Sequence, residues 1–190
     1  MSRPPRDALR REIVDVAQRM FAGIGFRGTS LQMIADEAGC SKAALLYHFK
    51  TKTAILEELL DPLVVDVERI RAGATEAPPS DAVAFALEHA AALVVKHRSA
   101  IAMLRGLEDM ADELTVVGRG QEWVDELTEV AVADEDTLDR RVAAHAYVAG
   151  LLAACLSLPD VDDEALSGSL LRLGARMFDR DPASLTTVRL

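Results

Sequence analysis

The sequence predicts an all-α fold: an N-terminal three-helix, helix-turn-helix domain followed by a C-terminal helical bundle, with about nine helices in total. Two observations predict this fold. Half of the residues are hydrophobic, and Ala, Leu and Val are abundant, whereas aromatic residues make up only 4%. Apolar residues recur at the three- and four-residue spacing of amphipathic helices, and no segment alternates apolar and polar residues as a half-buried strand does.

The first three predicted helices follow one another closely, and the second and third are short. The first spans about residues 7–24. Thr29 stands three residues before Gln32, the spacing of a capping box, which predicts the start of a second helix that Gly39 ends. Ser41 is predicted to cap a third helix that runs to about Phe49.

Six further helices are predicted after the third. The fourth begins at Lys52 and runs to about Ile70, with Pro62 inside its pattern. Gly73–Ser80 has the composition of a linker, and Val116–Gly120 that of a loop or a broken helix. The other predicted helices cover about residues 81–96, 100–113, 121–133, 135–158 and 164–178. We divide the chain into an N-terminal domain, residues 1–52, and a C-terminal domain, residues 53–190.

Charge is distributed unevenly along the chain. The formal net charge is −10, yet residues 1–60 hold nine Lys or Arg against seven Asp or Glu. Three of the four lysines lie within residues 42–52. This asymmetry is expected when one end of a protein meets a polyanion, although charged runs are more commonly solvated surfaces.

The segment from about residue 29 to residue 49 predicts a helix-turn-helix, whose second helix enters the major groove of DNA. On that helix, Leu45 and Phe49 share one side and are expected to pack inward. The opposite side and its flanks carry small and polar side chains: Lys42, Ala43, Ala44, Tyr47 and His48. Small side chains allow close approach to base edges, while Lys, Tyr and His donate to phosphates.

A wider set of residues carries a family resemblance. These residues are Gly25-Phe26, Thr29-Ser30, Ile34-Ala35, Ala38-Gly39-Cys40-Ser41-Lys42, Tyr47-His48-Phe49 and Lys52. Over roughly the first sixty residues, the pattern resembles the DNA-binding domain of TetR-family transcriptional regulators. The resemblance implies a homodimer that binds a palindromic operator, usually to repress a promoter. It also implies release by a small molecule bound in the C-terminal domain.

The resemblance further implies which side chains contact DNA. Contacts to phosphates are expected from Thr29, Ser30, Tyr47, His48 and Lys52, and contacts at or beside bases from Gln32, Lys42 and Ala44. Three residues on the same surface complete the predicted set: Ser41, Ala43 and Lys50. Helix capping alone would explain Thr29 and Gln32, and Lys50 is equally well explained as a surface lysine. Leu46 departs from the pattern, because Tyr is frequent there.

The C-terminal domain offers residues suited to a mostly apolar cavity with a few polar anchors. This predicted pocket consists of Phe85, His89, Met103, Met110, Trp123 and Tyr147. An ordinary core position is the competing interpretation of each residue.

The last two predicted helices are strongly apolar and adjacent. Ala143–Leu158 is too short to span a bilayer, which takes about 20 residues, so we expect a helix buried on both sides. Together with the last helix it predicts a subunit interface, although both helices could instead fill the core of one subunit. The predicted interface consists of Val142, Ala149, Leu152, Leu156, Leu166, Leu170, Leu173 and Met177.

A ligand-responsive repressor is therefore the leading hypothesis. The alternative is a DNA-binding regulator without an effector, controlled by its abundance or by a protein partner. An enzyme has little support, because the chain has no glycine-rich phosphate loop or nucleophile elbow and no paired metal ligands. We therefore predict no catalytic residue, cofactor or metal. The N-terminus resembles no secretory signal, so a cytoplasmic location is expected.

Overall fold

The computed structural model describes residues 6–76, 78, 81–104, 107, 115–132 and 136–188. Within these residues the chain forms nine α-helices and one short 3-10 helix, with no strand, which confirms the predicted all-α fold. The helices are α1 Arg6–Ile24, α2 Leu31–Glu37, α3 Lys42–His48, α4 Lys52–Glu76, α5 Ala82–Lys96, α6 Arg98–Leu104, α7 Thr115–Val132, α8 Leu138–Ser157 and α9 Asp163–Met177. The 3-10 helix is Pro182–Ser184.

The turns around α2 differ in one respect from the prediction. Ser30, not Thr29, caps α2, because its hydroxyl accepts a hydrogen bond from the backbone N–H of Met33. The Thr29 hydroxyl instead donates to the carbonyl of Gly25 at 2.9 Å. Gly39 ends α2 with a φ of +63°, the left-handed conformation that glycine adopts most readily.

Two helix boundaries are corrected. α4 continues through Gly73 to Glu76, where the composition predicted a linker. Gly73 lies against the ring of Phe85, and its lack of a side chain allows α4 and α5 to pack closely there. α7 begins at Thr115 and includes Val116–Gly120, so the two glycines in that segment do not break the helix. Most of the predicted helix over residues 100–113 lies outside the described residues, and α6 ends at Leu104.

The helices surround two hydrophobic cores. The N-terminal core is formed by α1, α2, α3 and the beginning of α4, together with Met103 of α6 and Leu107. The C-terminal core is formed by the end of α4 with α5, α7, α8 and α9. Because α4 contributes Leu56 and Leu60 to the first core and Val67 and Ile70 to the second, it connects the two domains.

A buried charged cluster fixes α4 to the junction of α5 and α6. The Asp66 carboxylate, which is 4% exposed, lies 2.7 Å from Lys96 Nζ and 2.7 Å from His97 Nε2. Arg69 donates to its other oxygen. Arg98, which follows His97 in the chain, donates to the carbonyl of Val161 in the α8–α9 connection at 2.9 Å. The α5–α6 junction is thus attached both to α4 and to the connection between the last two helices.

No helix within the described ranges is long and apolar enough to cross a membrane. The prediction that Ala143–Leu158 is buried on both sides is wrong for the single chain. Tyr147 and Leu151 of α8 are buried, but Ala149 and Ala153 on its opposite side are exposed.

Candidate nucleic-acid interface

α3 is anchored on one side and exposed on the other. Leu45 is fully buried, and Phe49, the residue that caps the end of α3, is 2% exposed. Tyr47 is 63% exposed and lies on the opposite side with Ala43. Ser41 sets the start of the helix, since its hydroxyl accepts from the N–H of Ala44 at 3.1 Å. This is the arrangement expected of the second helix of a helix-turn-helix.

Most of the predicted DNA contacts share this surface. The exposed members of the set are Ser30, Gln32, Ser41, Lys42, Ala43, Tyr47 and Lys50, and the half-buried ones are Ala44, His48 and Lys52. Thr29 is the exception at 2% exposure. Its side chain is turned inward to Gly25, which corrects the expectation that it contacts a phosphate.

Lys52 holds the turn between α1 and α2 against the start of α4. Its ammonium donates to the carbonyls of Phe26 and Thr29 at 2.5 and 2.7 Å and lies 4.3 Å from the centre of the Phe26 ring. Partial burial lowers the pKa of Lys52 below its usual value. These contacts give Lys52 a structural role that its predicted phosphate contact did not include.

Three other members of the set also support the helices they lie on. Ser30 and Ser41 accept hydrogen bonds from backbone N–H groups as N-caps. The Gln32 side chain donates to Asp36 Oδ1 at 2.7 Å along the exposed side of α2. A base contact by Gln32 requires this bond to be exchanged.

Arg10 is a residue of the site that the sequence analysis missed. From α1 it donates to Glu58 Oε1 at 3.0 Å and to the backbone carbonyl of His48 at 3.3 Å, and its guanidinium lies 4.4 Å from the centre of the Phe49 ring. The third guanidinium nitrogen, Nη2, pairs with Glu58 Oε2. Arg10 therefore fixes the end of α3 relative to α1 and α4.

The segment that forms this surface matches a known family. Residues 13–59 match the model of the bacterial regulatory proteins of the tetR family. The N-terminal domain is thus that of the TetR family. The repressor KstR2 of Rhodococcus jostii (strain RHA1) is 34% identical over 73 residues, 35% of this chain and 36% of that protein. The regulator RutR of Escherichia coli (strain K12) is 37% identical over 68 residues, 34% of this chain and 32% of that protein. The chain thus matches about a third of the length of these curated relatives.

Solved structures extend the TetR-family likeness to the whole fold. The TetR-family regulator PfmR from Thermus thermophilus superposes with a TM-score of 0.68 and 21% identity, covering 95% of this chain and 98% of that one. KstR2 of Mycobacterium tuberculosis superposes with a TM-score of 0.66 and 19% identity, covering 92% and 96%. At these identities the likeness shows a shared fold.

Those predicted pocket residues that the structure describes do not meet in one cavity. Phe85 and Trp123 line an open groove of about 560 Å³ between α4, α5 and α7, called here the α5–α7 groove. His89 stacks on Phe85 with ring centres 3.8 Å apart. Met103 instead belongs to the N-terminal core. Helical spacing identified inward-facing residues but not the core or groove that each one enters.

Tyr147 and Met110 are the remaining residues of the predicted pocket. Tyr147 is buried beside a void of only about 20 Å³, and its hydroxyl donates to the carbonyl of Leu170 at 3.3 Å. Burial raises the pKa of Tyr147 far above its usual value. Met110 lies outside the described residues.

The predicted interface residues also separate into groups. Val142, Ala149 and Leu173 are exposed, and Leu152, Leu156 and Met177 are half-buried. Leu166 and Leu170 are 3% and 4% exposed and belong to the C-terminal core, which corrects their assignment to a subunit interface. They line the side of α9 that packs against its own chain.

Proposed function

We propose that this protein is a transcriptional regulator that binds a palindromic DNA operator as a homodimer and represses transcription. The observation that carries the proposal is the placement of α3, anchored by Leu45 and Phe49, with Tyr47 exposed on the opposite side. The relatives support it, since KstR2 is named as a transcriptional repressor and RutR as a transcriptional regulator. The proposed role is the binding of DNA and not catalysis. A DNA partner favours a location in the cytoplasm.

The charges around α3 suit a duplex. Lys42 and Lys50 are exposed at either end of the helix. Thr51 caps α4, and the N-terminal end of that long helix carries the partial positive charge of its backbone dipoles. These groups are suited to phosphates on both sides of the major groove, while α3 approaches the bases. In a homodimer the two α3 helices would lie about 34–36 Å apart.

The exposed side of α8 is the surface proposed for dimerisation. It presents Val142, which is 59% exposed, with Ala149 and the partly exposed Leu152 and Leu156. Leu173 of α9 adds a further exposed apolar side chain. A two-fold interface would cover these groups in both copies at once.

The dimer proposal is tested by placing a charge on this surface. Ala149→Arg is expected to halve the mass measured by sedimentation equilibrium, because a buried unpaired charge is costly. Val65→Arg on α4, where Val65 is 56% exposed, provides the control and should leave the mass unchanged. A dimer that persists in Ala149→Arg contradicts this interface.

The α5–α7 groove is the proposed site of a small-molecule effector. Its walls include Ile70, Phe85, Trp123 and Leu127, and its volume suits a drug-sized molecule. Arg71 also lines the groove and donates a hydrogen bond to Glu126, another lining residue, at 2.6 Å. Because Arg71 and Ile70 lie on α4, a ligand here would act on the helix that enters both domains.

One observation favours the alternative, a regulator without an effector. The pocket beside Tyr147, between α5, α7 and α8, has a volume of only about 20 Å³, which is too small for a drug-sized molecule. Trp123 is the only tryptophan in the chain and lines the groove, so its fluorescence reports binding there. Compounds that shift Trp123 emission and weaken DNA binding support an effector site. Compounds that shift the emission without changing DNA affinity favour the alternative.

The proposed function as a whole is tested by selecting bound duplexes from random and genomic DNA. We expect enrichment of an inverted repeat that binds one dimer. Affinity should fall steeply with salt concentration, because the protein releases counterions from phosphates. If no sequence is enriched over non-specific DNA, the proposed function is wrong.

A further inference from the structure

The outward side of α3 has an unusual choice of side chains for a helix that reads DNA. α3 contains no Arg, Asn or Gln, the residue types that, with Lys, make the paired hydrogen bonds that specify guanine or adenine. Its polar side chains are Lys42, Tyr47 and His48. The nearby Gln32 of α2 is hydrogen-bonded to Asp36. This surface therefore has few side chains that can make hydrogen bonds to the edges of bases.

The polar groups of α3 are also placed toward its ends. Lys42 is the first residue of the helix and carries a compact charge suited to a phosphate. His48 is the last residue and is half-buried, with its ring edge-on to Tyr47 at 5.3 Å. Its backbone carbonyl accepts from Arg10, which holds this end of the helix against α1. The middle of the outward side is left to apolar side chains.

Leu46 is the largest of these apolar side chains. It is 40% exposed, whereas the adjacent Leu45 is fully buried, so a substantial part of Leu46 lies outside the core. Ala43 lies one turn earlier on the same side and is also exposed. The small Ala43 leaves room beside Leu46 for the edge of a base to approach.

The surroundings of Leu46 indicate what would cover it. Lys42 and Lys50 lie on either side of it. The first sixty residues of the chain carry two more basic than acidic side chains, while the rest of the chain is strongly acidic. This charge favours a polyanion over an acidic protein surface. The C5-methyl group of thymine is the apolar group that a major groove presents to such a surface.

We propose that Leu46, with Ala43, selects operator sequence by packing against thymine methyl groups, an inference that rests on the proposed function. Leu46 is then a specificity-determining residue, and Lys42 and Lys50 position the helix through phosphates. Each half-site of the selected operator should carry a thymine at one constant position that faces α3.

The experiment compares thymine with uracil, which differs only by the absent methyl group. Each thymine of the selected operator is replaced by uracil, and the dissociation constant is measured at fixed salt. Loss of the methyl facing Leu46 is expected to weaken binding about fourfold in one half-site and about fifteenfold when both half-sites are changed. Thymines outside the half-sites serve as the DNA control.

The Leu46→Ala variant assigns the effect to the residue. It should bind the thymine and uracil operators with equal affinity, because the contact that distinguishes them is absent. Val65→Ala is the protein control, since Val65 is 56% exposed near the middle of α4, and it should keep the preference for thymine. Circular dichroism should be unchanged in both variants.

Two results would overturn the inference while leaving the proposed function intact. One is an enriched operator for which no uracil replacement changes the affinity by twofold or more. The other is a Leu46→Ala variant that still prefers thymine to the same degree. Failure to enrich any sequence would instead reject the proposed function, and this inference with it.

Discussion

The two domains of the molecule are packed in different ways. The N-terminal core is filled by large side chains, and the rings of Phe21 and Phe26 meet edge to face with centres 5.2 Å apart. In the C-terminal domain, helices approach each other closely at glycines. A Cβ on Gly73 would lie 2.8 Å from Cζ of Phe85, and one on Gly174 would lie 2.8 Å from Cζ of Tyr147.

The two domains also differ in the groups that their charged side chains contact. In the N-terminal domain, Arg10 and Lys52 donate to backbone carbonyls at the ends of short elements, so α2 and α3 are held as one unit. In the C-terminal domain, Asp66 joins two different helices through Lys96 and His97. The surface around α3 is thus held by contacts within its own domain. It is linked to the C-terminal domain through α4 and through α6 and Leu107, which also pack in the N-terminal core.

The largest effect is expected when the charge of Asp66 is removed. Asp66→Asn leaves Lys96 and His97 without their carboxylate, and breaking such a buried pair costs about 3 kcal/mol of unfolding free energy. Chemical denaturation at neutral pH measures this loss. Glu122→Gln on α7 changes an exposed carboxylate and should alter the stability by less than about 0.5 kcal/mol.

The same variant has a defined pH dependence. Burial opposes ionisation of Asp66, but hydrogen bonds from Lys96 and His97 outweigh it, so its pKa lies below the usual value. Since the folded pKa is below the unfolded one, the carboxylate stabilises the fold above about pH 4, and this contribution is lost as pH falls through the folded pKa. The difference in unfolding free energy between wild type and Asp66→Asn should therefore narrow in acid. A difference that stays constant through the acid titration contradicts this account of the cluster.

Lys52 and Lys50 separate support of the N-terminal domain from contact with DNA. Lys52→Met removes the donor to two carbonyls and is expected to cost about 1.5–3 kcal/mol of unfolding free energy. Lys50 is exposed, so Lys50→Met should leave stability within about 0.5 kcal/mol and reduce the salt dependence of DNA binding by about one phosphate contact per subunit. Denaturation and binding at several salt concentrations measure both quantities. Unchanged stability in Lys52→Met would contradict its structural role.

The smallest effect concerns the close contact between α4 and α5. Gly73→Ala places a Cβ against Phe85, which costs about 1–3 kcal/mol, while the better helix propensity of Ala returns about 1 kcal/mol. The net loss should therefore be about 0–2 kcal/mol. Gly120→Ala is the control in α7, where the added Cβ meets no atom within 4 Å, and it should stabilise the protein by about 1 kcal/mol. Equal stabilisation by both substitutions would show that the α4–α5 contact is not tight.

Local spacing was enough to predict much of the N-terminal domain. The cap at Ser41, the left-handed Gly39 and the inward side of α3 all follow from residues within one or two turns of each other. Spacing alone does not decide which of two adjacent hydroxyls caps α2. The capping-box spacing predicts Thr29, whereas Ser30 caps the helix in the structure. The pair of Arg10 with Glu58, 48 residues apart, has no local pattern and could not be predicted.

The C-terminal domain was predicted less completely for a physical reason. An apolar stripe shows that a side of a helix is covered, but not whether its own chain or a second copy covers it. Leu170 and Leu173 were both assigned to the interface, yet the structure buries Leu170 in the core and leaves Leu173 partly exposed. The α5–α7 groove likewise depends on the packing of three helices, which no single stripe encodes.

The measurement that tests the central claim most directly is the affinity of the Tyr47→Ala variant for the selected operator. Tyr47 is exposed on the outward side of α3, so its truncation should abolish specific binding without changing the helical circular dichroism or the mass of the dimer. Val65→Ala, at an exposed position of α4, should bind as the wild type does. Operator affinity retained by Tyr47→Ala would contradict the claim that this side of α3 reads DNA.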